Sequence, residues 1–120
     1  MIAGGAVACR TRENVLCLAG RYRVSVEWAT GTAGGSAPGR VLSEDSGLFW
    51  FFDPENVEVF AKVLDACAIN DYYWVFAAGL TDLEVRLRVT DSITGDTEFF
   101  RSPAGELFEP VVELARFPCS

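Results

Sequence analysis

The sequence predicts an all-β protein, an antiparallel β-sandwich of immunoglobulin-like or jelly-roll-like kind with about eight strands and disulfide staples. Three observations point there. Two segments alternate apolar and polar residues with a period of two. Continuous apolar runs rich in aromatic and β-branched residues lie between them, and turn signals recur every 8 to 12 residues. A small barrel is the second closure. The chain has 120 residues, half of them hydrophobic, which suits one core. Residues 9–120 are expected to form a single domain, with 1–8 as an apolar lead segment or linker.

Taken in order, residues 21–28 (RYRVSVEW) set Tyr22, Val24, Val26 and Trp28 on one face and Arg21, Arg23, Ser25 and Glu27 on the other. That is the pattern of a half-buried strand. Residues 29–39 (ATGTAGGSAPG), with four glycines and a proline, read as the most flexible loop. The runs 47–52 (GLFWFF) and 72–79 (YYWVFAAG) read as strands covered on both faces, or nearly so. In 57–65, Val57, Val59, Ala61 and Val63 alternate, which favours strand over a two-turn helix. Residues 83–90 turn Leu83, Val85, Leu87 and Val89 inward. Residues 91–96 (DSITGD) make a hairpin turn in which Gly95 supplies positive φ, with 97–101 as the return strand. A last strand is expected over 111–117.

Composition excludes several kinds of chemistry. The chain has no histidine, which removes Ser-His-Asp and Cys-His triads and His-ligated zinc. Ser46 sits in Asp-Ser-Gly rather than in a G-x-S-x-G elbow, and nothing specifies a pair of carboxylates facing each other across a cleft. No enzymatic activity is expected. A formal charge of -7 disfavours nucleic acid and anionic lipid as partners, and no apolar run approaches a membrane span. Arg21, Arg23, Arg86 and Arg88 alternate with apolar residues on outward strand faces and read as no coherent basic stripe.

Four cysteines, at 9, 17, 67 and 119, include no C-x-x-C pair and allow three disulfide connectivities. The favoured pairing is Cys9–Cys17, closing a small loop, with Cys67–Cys119 pinning the C-terminal segment to the middle of the domain. On loop entropy alone these contribute about 2.6 and about 4 kcal/mol. An even count with one cysteine near each end favours an oxidising, extracellular setting, against the alternative of buried free thiols in the cytosol. The first eight residues, MIAGGAVA, lack the charged region of a signal peptide, so the export signal of a secreted protein is expected outside this chain.

The run LCLAGRYRVSVEW (16–28) resembles the opening of a domain recurrent in secreted, often multidomain, proteins of environmental bacteria. Cys9, Leu16-Cys17-Leu18, Arg21-Tyr22-Arg23-Val24 and Trp28 carry the likeness. It continues through 45–67, 73–85, 89–100 and 102–117, nearly the whole chain. Where that family has D-G-C and N-G, this chain has Asp65-Ala66-Cys67 and Asn70-Asp71, so those two turns are expected to differ in backbone shape. The resemblance implies an extracellular β-rich accessory domain and no catalytic residues.

Candidate sites follow. Acids cluster at Glu44-Asp45, Asp53/Glu55/Glu58, Asp82/Glu84 and Asp91/Asp96, which allows calcium as a minor alternative to no cofactor at all. No D-x-D-x-D-G spacing is present, and turns attract acids for local hydrogen bonding. Aromatic residues pose the sharper question. Phe49, Trp50 and Phe51, with Tyr72, Tyr73 and Trp74, lie on strands that have one inner face each, so some of these rings should reach the surface. The expected role is a non-catalytic binding or structural module working through protein contacts, self-assembly into a surface structure or filament included. A carbohydrate-binding module with an aromatic platform is the alternative. A row of coplanar exposed rings beside Asp and Asn side chains favours sugar; a contiguous aliphatic patch favours protein. Ile2 and Val7, in the uncharged lead segment, are candidates for docking on a sheet edge, at home or on a neighbour.

Overall fold

A computed structural model of the chain describes residues 8–120, and residues 1–7 of the lead segment, with Ile2 and Val7, lie outside the described residues. Two antiparallel sheets face each other. The first contains β1 (Leu16–Leu18), β2 (Tyr22–Ala29), β8 (Glu84–Asp91) and β9 (Thr97–Ser102) in that order, with β3 (Gly34–Ser36) beside the far half of β2. The second runs β10 (Val111–Pro118), β7 (Tyr72–Gly79), β6 (Val57–Ala66), β5 (Ser46–Trp50), β4 (Gly39–Val41). A four-residue helix, α1 (Cys67–Asn70), links β6 to β7.

The alternation read from the sequence places the core. Val24 and Val26 of β2, Val85, Leu87 and Val89 of β8, and Val59, Ala61 and Val63 of β6 are buried and meet between the sheets. Trp28 is only half-buried, at the rim of that core. A β-bulge between Phe49 and Trp50 opposite Val57 leaves Val57 half-buried as well. Burial of each Val or Leu side chain is worth about 1.5–3 kcal/mol, so these residues decide which face of each strand turns inward.

The glycine-rich run 29–39 departs from the expected loop. It contains β3 and β4, and the chain changes sheets between them at Ala37-Pro38. The Ala37 N–H donates to Val26 O at 2.8 Å in the first sheet, while Pro38 O accepts from Trp50 N at 3.1 Å in the second. Glycine serves close approach here: a Cβ at Gly39 would stand 2.8 Å from the Phe49 ring. With β1, these two short strands bring the total to ten rather than about eight.

One end of the sandwich is bolted shut. Both expected disulfides are present, Cys9–Cys17 and Cys67–Cys119, and among the described residues no cysteine is free. Arg21, expected on an outward face, is buried instead. It precedes β2, in the turn after β1, where strand alternation does not yet apply. Its guanidinium pairs with Asp91 through Nε–Oδ1 at 3.0 Å and Nη2–Oδ2 at 2.7 Å, and Nη1 donates to Cys119 O at 2.8 Å. The Tyr22 and Tyr73 rings lie 5.5 and 5.3 Å from it. Asp91 is thus an ion-pair partner rather than half of a cation site with Asp96.

The two turns that depart from the family pattern behave differently. Ala66 keeps an ordinary negative φ of -111°, whereas Asp71 takes φ 68°, the left-handed position where glycine is favoured. Asp71→Gly is expected to match or exceed the native protein in thermal stability, and Asp71→Val to lose about 1–2 kcal/mol. Unfolding curves of the two variants check both directions.

Candidate functional site

The strand pattern that builds the core leaves two outer faces of opposite character. On the second sheet, Phe60, Lys62 and Leu64 of β6, Trp74, Phe76 and Ala78 of β7, and Val112 and Leu114 of β10 alternate with core residues and point outward. Phe60, Leu42, Val112 and Leu114 are 43%, 53%, 59% and 42% exposed. Leu48 is buried on this side, between Phe60 and Arg40 in register. A shallow groove of about 310 Å³ runs across the face, lined by Leu42, Phe60, Lys62, Phe76, Pro110 and Val112. Lys62 is the only lysine in the chain, and among the described residues it makes no ion pair. A hydrogen-bond relay fixes one end of the surface. Trp74 Nε1 donates to Asn70 Oδ1 at 3.1 Å, and Asn70 Nδ2 donates to Leu114 O at 2.8 Å.

The six aromatic candidates divide. Phe49 and Phe51 are corrected to core positions, 0% and 7% exposed, with Phe51 stacked on Trp28 at 6.0 Å and 23°. They turn inward because inward-facing positions on β5 and at its end face β2 across the sandwich. Tyr73 also packs on the core, edge-on to Tyr22 at 4.9 Å. Trp50, Tyr72 and Trp74 are half-buried. The rings that do reach solvent are not coplanar: Trp74 and Phe76 meet at 85°, Trp28 and Phe52 at 70°. Phe60 and Phe76, which the sequence reading left out of the candidates, are central to the apolar face. Their signal was the period of two itself, since β6 and β7 carry apolar residues on both faces.

The outer face of the first sheet is charged. Arg86, Arg88 and Arg101 stand beside the exposed ring of Phe99, Arg23 lies diagonal to Arg88 on β2, and Glu27 stands opposite Arg86 with Glu84 two residues before it. The arginines therefore form one patch, contrary to the expectation of no basic stripe. Antiparallel register is the reason: it sets Arg86 opposite Arg101 and Arg88 opposite Phe99.

Among the described residues, the only convergent trio of ligand-type side chains is Asp65 with Cys67 and Cys119. Those sulfurs are bonded to each other, so they offer no thiolate, and Asp65 Oδ1 accepts the Cys67 N–H at 3.0 Å. Glu58, two residues before Phe60, is buried, and burial raises its carboxyl pKa above the ordinary value. No family model, curated protein or solved structure matches the chain.

The Glu58 environment fixes a pH dependence. A carboxyl whose pKa is raised on folding holds its proton longer in the native state, so stability falls as pH climbs from the unfolded value through the folded one. Glu58→Gln is expected to raise the Tm at neutral pH. The gain should vanish below the ordinary carboxylate range, where wild-type Glu58 is protonated in both states. Paired Tm measurements at neutral and acid pH check the sign.

Proposed function

We propose that the protein is a non-catalytic extracellular module that makes protein contacts through the outer face of its second sheet. One observation carries this reading: a contiguous apolar surface, with Phe60, Leu42 and Val112 exposed around a groove whose single charge is Lys62. Large exposed apolar patches on soluble domains mark contact sites. Two disulfides with no free cysteine among the described residues suit an oxidising compartment. Trp74 with Phe76, and Trp28 with Phe52, meet too steeply for either pair to make a flat platform, which favours protein contact over the carbohydrate alternative.

Lys62 narrows the partner. It stands on a central strand of the sheet, between Ser46 and Phe76 in register. A symmetric face-to-face dimer brings two lysines into one apolar setting at a desolvation cost, so an isologous contact is disfavoured. A partner with apolar side chains flanked by carboxylates fits better. The chain has such a surface at the end of the sandwich away from Arg21, where loops carry exposed Phe52, Leu80 and Leu107 among Asp53, Asp82 and Glu106. A second copy docking head to tail satisfies both faces and continues into a chain of molecules.

Light scattering over a range of concentration tests this. Wild-type protein is expected to show mass increasing with concentration, and Phe60→Glu, which places a like charge before the acidic end, to remain monomeric. Equal masses for the two proteins at every concentration would remove the second copy as the partner.

A further inference from the structure

We infer that the outer face of the first sheet is a binding surface for a linear anionic polysaccharide, held by Arg23, Arg86, Arg88 and Arg101 around Phe99. The inference is independent of the contact proposed for the second sheet, which faces the other way.

Four of the ten basic residues of an acidic protein stand together on three adjacent strands. Same-face residues two apart on a strand are about 6.6–6.8 Å apart, and directly opposed residues on neighbouring strands about 5 Å. Arg86 therefore has two cationic neighbours, Arg88 along its strand and Arg101 across from it on β9, and two acidic ones, Glu84 along its strand and Glu27 across from it on β2. Like charges placed opposite each other destabilise a sheet, so stability alone does not favour the Arg86–Arg101 pairing. Only one ion pair relieves it: Arg101 with Glu84 at 3.4 Å, both well exposed. Among the described residues, Arg23, Arg86 and Arg88 have no carboxylate within ion-pair distance. The Arg86 guanidinium sits 4.1 Å from the centroid of the Phe99 ring, with Arg88 at 6.0 Å. Stacking on the ring orders the planar Arg86 fork, which suits bidentate capture of carboxylate or sulfate.

Magnitudes select the class of ligand. Exposed ion pairs are individually weak, so a small anion bound by four arginines in the open reaches millimolar affinity at best. A linear polyanion adds counterion release and presents its charges repeatedly to the same patch. The surface is broad and shallow, without an enclosing pocket, as a chain lying across β2, β8 and β9 requires. Duplex DNA is the less suitable polyanion. It carries a charge per roughly 1.7 Å, and the remainder of this surface, net acidic, repels the densest charge most strongly.

The test uses affinity electrophoresis and titration calorimetry with polygalacturonate, dextran sulfate, neutral dextran and duplex DNA, at low and physiological ionic strength. Binding is expected to polygalacturonate, dextran sulfate or both, which separates carboxylate from sulfate recognition, and not to dextran. It should weaken with salt. The variant Arg86→Gln/Arg88→Gln/Arg101→Gln should bind about tenfold or more weakly. Arg88→Gln alone, exposed and outside the core, should give a smaller loss in the same direction. The inference is overturned by no binding to either anionic polymer, or by binding that the arginine variants leave unchanged. Duplex DNA bound as tightly as the polysaccharides overturns the ligand class. Salt-sensitive self-association that the arginine variants abolish, without polymer binding, assigns the patch to a second copy instead.

Discussion

The architecture depends on one buried ion pair. Arg21, in the turn before β2, pairs with Asp91 at the end of the neighbouring β8, yet it also donates to the carbonyl of Cys119, beyond the last strand of the second sheet. Removing two such charges from water costs several kcal/mol per ion, and bidentate geometry with further hydrogen bonds is what offsets it. Here Asp91 additionally accepts the backbone N–H of Ile93 at 2.9 Å, opening the β8–β9 turn, and the Cys119 N–H donates to Asp71 O at 3.0 Å. The pair thus connects a hairpin turn, the C-terminus and the Cys67–Cys119 disulfide at one end of the sandwich. Its hydrogen bond to Asp91 holds the Arg21 guanidinium charged at every accessible pH. Burial pushes the Asp91 carboxyl up, but the hydrogen bonds from Arg21 and Ile93 outweigh it and leave the pKa lowered. Its stabilising contribution is complete above the ordinary carboxylate range and disappears only as pH falls through the lowered value.

With that end fixed, the two sheets are free to differ on their outer faces. Every strand must give one face to the core; what the other face carries is left to function. On the first sheet it carries arginines around a phenylalanine, and on the second a phenylalanine-lined groove with one lysine. Neither arrangement is what stability alone would select, since one crowds like charge and the other leaves apolar surface in water. The loops that carry Asp53, Asp82 and Glu106 lie at the end away from the ion pair, so a contact there leaves the bolted end undisturbed.

Much of this was legible in the sequence because strand periodicity is short and strict. Tyr22 to Trp28 and Leu83 to Val89 announce their inner faces residue by residue, and cysteines near both ends of the chain suggest staples to the nearer and the more distant partner. What escaped has physical causes. Glycines at 34, 35 and 39 look like a flexible loop, but here they permit strands to pass close to Trp28 and Phe49. Arg21 reads as outward because alternation was extended one residue too far, into a turn. Asp91 reads as a turn acid until its partner, seventy residues earlier, is known. Phe49 and Phe51 were grouped with exposed aromatics, since a run apolar on both faces does not reveal which face is inner. The arginine patch was missed for a related reason: it exists only once β8 and β9 are in register.

The central claim is that Arg21 and Asp91 act as one unit at the end of the sandwich where the C-terminus is held. A double-mutant cycle with Arg21→Met and Asp91→Leu, followed by urea unfolding, tests it most directly. Each single variant leaves a buried charge without its partner and should lose about 3–5 kcal/mol. The double variant should lose clearly less than the two losses combined. Single losses that add to within about 0.5 kcal/mol would contradict the account, because residues that act as one unit cannot behave independently.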